Sequence, residues 1–260
     1  MRLIRKLLEN VIVVGEGGSS NTTLVSGKSC VVVIDTSLFP ERAIKTRKFA
    51  SDIFGKPVGL VVNTHYHPDH TFGNSAFEDV DILSSSLTKE RMEEMDRDYI
   101  EKVWGKERAE REHIVLPNQT FNDKMSIGVC GVKMKLLTLG GHTPDSTVVF
   151  LEREGIVVAG DLVFNGYHLE ITEDSDIGAW KEALSFIRDM SPVFVVPGHG
   201  EVGGMDIIKG TKDYLLKIEG FVEGRLSKEE LLSDENFSMR EFPELFSYSF
   251  ENLLKILARS

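Results

Sequence analysis

The sequence predicts a fold of mixed strands and helices that gathers a metal centre at the ends of its strands. Three observations lead there. Short valine-rich runs at 31–34, 60–62, 156–159 and 193–196 read as buried strands. Longer stretches with apolar residues at helical spacing lie between and after them. Several apolar runs also end at a residue suited to metal chemistry or its support, namely Asp35, His65, His142, Asp161 and His199. Strand-end loops are where α/β architectures place active sites.

The elements follow in chain order. Residues 1–35 read as strands joined by turns: apolar chain at 11–14, a loop at 15–21, extended chain at 22–25, and a strongly apolar strand ending at Asp35-Thr36. Residues 41–54 carry Ala43, Ile44, Phe49, Ala50 and Ile53 at helical spacing, so a helix leads to Gly55. A central strand at 59–64 precedes the histidine motif. Residues 87–112 are the most helical stretch, with Met92, Met95, Tyr99, Ile100, Val103 and Trp104 on one face. That face is read as core packing, with a pocket wall as the alternative. Short strands occupy 114–139, and two more flank the turn at 152–155. Asp176 caps a helix that buries Ile177, Trp180, Leu184 and Ile187 and stops before Ser191-Pro192. From about residue 205 the pattern is helical, with a capping box at Ser227 and Glu230 and a final apolar stripe of Phe246, Phe250, Leu253, Leu254 and Leu257.

Composition narrows the function. The formal net charge of −11 disfavours broad contact with a nucleic-acid backbone, which needs a basic face. No apolar run approaches the roughly 20 residues needed to cross a bilayer, and the first ten residues lack the apolar core of an export signal. A cytoplasmic location, a small-molecule substrate, and neither nucleic acid nor membrane as partner are therefore expected. Oligomeric state is not legible. The two cysteines, Cys30 and Cys130, sit in or beside apolar runs and read as core thiols rather than as a disulfide or a ligand pair.

The densest chemistry is His65-Tyr66-His67-Pro68-Asp69-His70, four potential ligands in six residues, with three of the chain's seven histidines. Side chains alternate along extended chain, so His65 and His67 can share one metal. Pro68 keeps a helix from running through the pair. Asp69 and His70 begin the next element and can turn toward a second metal. Asp35 is a candidate to hydrogen-bond one of the ligands and fix its direction. Asn165, Tyr167 and His168 follow Asp161 and could line a substrate mouth. His113 and His168 fit no ligand motif, and an ordinary surface position is expected for both.

Taken in order, this motif, then Gly141-His142-Thr143-Pro144, Gly160-Asp161 and Pro197-Gly198-His199-Gly200, resembles the metallo-β-lactamase superfamily over most of the chain, to about residue 204. The resemblance implies an α+β fold, the αββα four-layer sandwich. It also implies one domain over residues 1–260, with a helical insertion at about 87–112 and a helical C-terminal extension at about 205–260. His65, His67 and His142 would bind one metal; Asp69, His70 and His199 would bind the other; Asp161 would bridge both. Two divalent ions are implied. Zinc is favoured and iron or manganese remains compatible, because the set has no thiolate. Five neutral imidazoles and two carboxylates leave the pair a net charge of about +2, which suits an anionic or polarised substrate oxygen.

The expected activity is that of a dinuclear metal-dependent hydrolase. A metal-bridging hydroxide would attack an ester, thioester or lactone-type bond, with Asp69 orienting it as the catalytic residue. Asp161 makes the set look like the glyoxalase II type, whereas the best-known zinc β-lactamases carry a cysteine there. Two alternatives are an iron-dependent oxidoreductase like the persulfide dioxygenases and a phosphodiesterase. A metal-stabilised binding protein is disfavoured, because a closed structural zinc site needs neither two metals nor open positions.

Overall fold

The computed structural model describes residues 2–16 and 18–257, without the side chains of residues 2, 3, 16 and 257. Gly17 of the expected loop and the Leu257 side chain of the expected stripe thus lie outside the described residues. The chain divides into two compact units, Met1–Thr138 and Leu139–Ser260.

The first unit opens with four antiparallel strands: β1 (Arg2–Leu8), β2 (Val11–Glu16), β3 (Thr22–Ser26) and β4 (Val31–Ile34). Helix α1 (Pro40–Phe54) then crosses over to β5 (Val58–Val62), which pairs parallel with β4. Short helix α2 (Pro68–Thr71) and a 3-10 segment (Phe72–Phe77) lead to β6 (Ile82–Ser85). Helices α3 (Ser86–Glu93), α4 (Arg97–Trp104) and α5 (Lys106–Arg111) come next, and β7 (Gln119–Phe121) completes a mixed seven-stranded sheet in sequential order. A hairpin of β8 (Lys124–Val129) and β9 (Val132–Thr138) ends the unit. Strand β4 is buried along its whole length, as its run of valines and isoleucine requires.

Helix α1 forms where the pattern puts it and closes at Gly55 in the left-handed conformation. Its buried face is narrower than expected, because Ala43 and Ala50 are inside while Ile44 and Ile53 are more than half exposed. The single helical stretch expected at 87–112 is three helices. The Asp96 side chain accepts from the Tyr99 backbone N–H and starts α4, and Gly105, at φ 79°, separates α4 from α5. Met92 and Trp104 are buried, with the Trp104 indole N–H donating to the Leu38 carbonyl at 3.0 Å. Tyr99 is exposed.

The reading of the cysteines is corrected. Cys30 and Cys130 are joined in a disulfide, with Cα atoms 5.3 Å apart. The turn after β3 and the tip of the β8–β9 hairpin meet there, and the Lys28 N–H donates to the Cys130 carbonyl. Nothing local announces a pairing across 100 residues. In the loop-entropy picture, closing a loop of that length stabilises the fold by up to about 5 kcal/mol. Reduction, or replacement of both cysteines by serine, is therefore expected to lower the urea midpoint. An unchanged midpoint with both thiols titratable would contradict that.

The second unit contains β10 (Thr147–Leu151), β11 (Ile156–Phe164) and β12 (Phe194–His199), with β11 antiparallel to β10 and parallel to β12. Helix α6 (Ile177–Asp189) connects β11 to β12. It is capped by Asp176 and buries the four expected residues. The α7 (Met205–Val222), α8 (Lys228–Ser233), α9 (Glu235–Ser238) and α10 (Pro243–Leu257) helices follow, and the Ser227–Glu230 capping box is present. Leu253 of the final stripe is buried, whereas Leu254 faces solvent. Among the described residues no helix is long and apolar enough to cross a membrane.

Candidate metal centre

Four of the seven candidate ligands belong to the first unit. Beyond Val62 the β5 chain continues through Asn63 and Thr64 to His65, all buried. His67 takes the N-cap position of α2 with extended ψ, and Pro68 supplies the first helical residue. This stop and restart places Asp69 and His70 on the first turn. Ligand atoms of His65 and His67 lie within 4.8 Å of each other, and His70 Nε2 is 3.6 Å from Asp69 Oδ2. His65, His67 and His70 are buried, while the Asp69 side chain is 28% exposed. Asp69 is thus the most exposed of these four.

Asp35 ties His65 and His70 together. At the end of β4, with φ 61°, its carboxylate accepts from the Thr64 N–H at 2.8 Å and from the Thr64 hydroxyl at 2.8 Å. It also accepts from His70 Nδ1 at 2.8 Å. Because the Thr64 hydroxyl proton goes to Asp35, its oxygen is left to accept from His65 Nδ1, 3.1 Å away. One carboxylate thereby sets the tautomer of His70 directly and that of His65 through Thr64, presenting Nε2 of both rings. The sequence pointed to Asp35. It carried no sign of the Thr64 relay, since threonine before a motif histidine is unremarkable. The Thr36 N–H and hydroxyl hold the His70 carbonyl at 2.9 and 3.1 Å.

The other three candidates belong to the second unit. Asp161 sits within β11 rather than after it. The β11–β12 register shifts on either side of Gly160, and this irregularity re-aims the next side chain. His142 follows the turn after β9, and His199 is the last residue of β12. Both His142 Nε2 and His199 Nε2 lie 3.6 Å from the same atom, Asp161 Oδ2. That exceeds hydrogen-bond length, and two ligands of one tetrahedral ion stand about 3.3–3.5 Å apart. His142 Nδ1 donates to the Glu170 carbonyl at 2.9 Å, which leaves Nε2 for a metal. The His199 ring stacks on Phe164 at 5.4 Å. A β-carbon on Gly198 would fall 1.7 Å from Asp161 Oδ1, so the carboxylate occupies space that only glycine leaves.

The donor set fits divalent metals. Imidazoles with Nδ1 committed to an acceptor offer Nε2, the carboxylates offer oxygen, and both cysteines are held in the disulfide. His113 is exposed beside Glu78, as expected. His168 is not a surface residue. It is 4% exposed, and its Nδ1 is 2.9 Å from the Tyr214 hydroxyl. Burial, with Arg240 nearby, pushes its pKa down to about 4. Folding therefore favours the neutral ring over the unfolded value near 6.5. That stabilisation is present above pH 6.5 and is lost as pH falls toward 4. The urea midpoint is expected to fall across that window less steeply in His168→Gln than in the parent chain, and parallel slopes would refute this. Asn165 donates its side-chain N–H to the Glu201 carbonyl at 2.8 Å, and Tyr167 stacks on Phe242.

Comparison with known proteins follows the same lines. The metallo-β-lactamase of Pontibacter korlensis has a TM-score of 0.68 at 24% identity, covering 83% of this chain and 99% of that one. The FIM-1 enzyme of Pseudomonas aeruginosa, in its mono-zinc form, has a TM-score of 0.69 at 19% identity, covering 83% and 95%. These likenesses show the fold: α+β, two mixed sheets flanked by helices, the αββα sandwich. Among curated proteins, a metallo-β-lactamase type 2 of Bacteroides fragilis is 31% identical over 109 residues, 40% of this chain and 44% of that protein. A β-lactamase-like protein 2 homolog of Caenorhabditis elegans is 29% identical over 172 residues, 66% of this chain and 50% of that protein. The chain thus spans about half the length of these relatives. The sequence pattern that defines the metallo-β-lactamase superfamily matches residues 15–199, from the end of β2 to the last candidate ligand, and the chain belongs to that superfamily.

Proposed function

We propose that this chain is a metal-dependent hydrolase that holds two divalent ions, zinc foremost, and cleaves an ester, thioester or lactone-type bond in a small molecule. The observation that carries the reading is Asp161 Oδ2, which stands 3.6 Å from the Nε2 atoms of two different histidines. An oxygen so placed suits an atom shared by two ions. The first unit offers two matching pairs, His65 with His67 and Asp69 with His70. In this reading His65, His67 and His142 would hold one ion, Asp69, His70 and His199 would hold the other, and Asp161 would serve both. When bound, such ions lower the pKa of a water and polarise the oxygen of the scissile bond. The chain's own residues do the rest. Asp35 and the Glu170 carbonyl fix the imidazole tautomers, and Asp69, the most exposed carboxylate of the set, orients the attacking oxygen.

The superfamily match runs across the boundary between the two compact units, which supports a single catalytic domain with the 87–112 insertion and the 205–260 extension attached. The net charge of −11 supports a small substrate rather than nucleic acid. A cytoplasmic placement has a counterweight in the Cys30–Cys130 disulfide, since such bonds persist mainly in oxidising compartments.

The deciding experiment is elemental analysis of protein purified without a metal-binding tag, followed by ester, thioester, lactone and phosphodiester panels. About two zincs per chain are expected, with turnover abolished by chelation and by Asp161→Ala in a chain that still folds. One iron per chain with oxygen uptake on a persulfide would replace the hydrolase reading. Full activity in Asp161→Ala would end it.

A further inference from the structure

Residues 166–171 lie between β11 and α6, and most of their bonded backbone groups are held by the far end of the chain. The Glu241 N–H donates to the Gly166 carbonyl at 2.8 Å, and Arg240 Nη1 to the Tyr167 carbonyl at 2.6 Å. The His168 N–H donates to the Glu241 carbonyl at 3.1 Å. Helix α10 takes over from there. Ser249 Oγ donates to the Leu169 carbonyl at 2.6 Å and accepts from the Ile171 N–H at 2.9 Å. Asn252 Nδ2 donates to the Ile171 carbonyl at 2.9 Å.

Between these fixed groups lies Glu170, whose carbonyl accepts the Nδ1 proton of His142 at 2.9 Å. The carbonyls on either side, of Leu169 and Ile171, accept from α10, and that of Glu170 between them is the one turned to His142. The polar residues on the helix are themselves telling. Ser249 is fully buried and Asn252 is 2% exposed, next to the buried Leu253. A buried hydroxyl and amide on an otherwise apolar stripe are costly unless fully bonded.

We propose that Ser249 and Asn252 are positioning residues for the metal ligand His142. By pinning the peptide groups on either side of Glu170, they keep its carbonyl on His142 Nδ1 and so keep Nε2 as the atom beside Asp161. Both residues lie beyond the superfamily match, which ends at residue 199. The C-terminal extension is thereby part of the metal centre's support rather than an appendage. The inference rests on the reading that His142 binds metal, and it is tested partly without metal.

The test uses the full chain with Ser249→Ala, Asn252→Ala and the double variant, Ser249→Thr as the conservative replacement, and Glu251→Ala as an exposed control on the same helix. Two quantities are read. The first is the His142 tautomer in the metal-free chain, from long-range proton–nitrogen NMR assigned with His142→Gln. The second is zinc affinity by competition with a chromophoric chelator. The parent chain, Ser249→Thr and Glu251→Ala are expected to hold the Nδ1–H tautomer. The double variant is expected to show a mixture and to bind one of its zincs about 10–100-fold more weakly, the usual effect of losing a ligand's supporting bond. Should the double variant not fold, the single variants are read in the same way, with smaller shifts of the same sign. Faster exchange of the Ile171 amide with an unchanged tautomer and unchanged zinc affinity would overturn the proposal. An altered tautomer in a chain whose zinc binding is indifferent to His142→Gln would instead overturn the metal reading and leave the strap standing.

Discussion

Gly198→Ala is expected to lower kcat/KM by at least about 100-fold while leaving β12 in place. The added β-carbon would lie 1.7 Å from Asp161 Oδ1, 2.8 Å from the Gly160 carbonyl carbon and 2.9 Å from Asp161 Cγ. None of these can be an equilibrium contact, so the carboxylate must swing away or the β11 irregularity at Gly160 must open. The backbone at Gly198 is outside the left-handed region. Alanine therefore meets no strain of its own, and the conflict is with Asp161 and the Gly160 backbone beside it. A displacement of about 1 Å at a group that positions reacting atoms costs about two orders of magnitude in rate. Circular dichroism and thermal melting should report a folded chain, and zinc content should fall below two per chain. Activity and metal content equal to the parent's would mean that Asp161 is not required where the structure places it.

On the proposed two-ion reading, Asp35→Asn is expected to weaken both sites at once, with zinc affinity down about 10–100-fold and folding stability down by about 1–3 kcal/mol. Asparagine tolerates the φ of 61° and can still accept from the Thr64 N–H, so backbone effects are kept small. Its amide NH2 cannot accept from His70 Nδ1 or from the Thr64 hydroxyl. His70 then loses its fixed tautomer. Thr64 is free to turn its proton toward His65, which undoes the second ring as well. Asp35→Ala would be worse, because alanine adds the left-handed backbone cost and leaves a buried N–H unmatched. Chelator competition and urea melts check both quantities. Loss of only one ion would show that the Thr64 relay does not hold His65.

Features that depend on neighbours along the chain could be read directly from the residues. Imidazoles and carboxylates at strand ends, Pro68 inside the motif, Asp176 before its helix and the Ser227–Glu230 box each act over a few residues, so they are legible in order. The superfamily and its fold were legible for the same reason, since the motifs that carry them are short. Tertiary structure decided what depends on distant segments meeting. Asp161 lies inside β11 at a stretch where the pairing with β12 is irregular, which no pattern in either strand reveals. Cys30 and Cys130 pair across 100 residues, and His168 is buried against Tyr214, 46 positions away. Ser249 and Asn252 reach back about 80 residues to the chain beside His142. Spacing encodes periodicity and local hydrogen bonds. Which buried polar group meets which is settled only when packing removes water and each donor must find an acceptor.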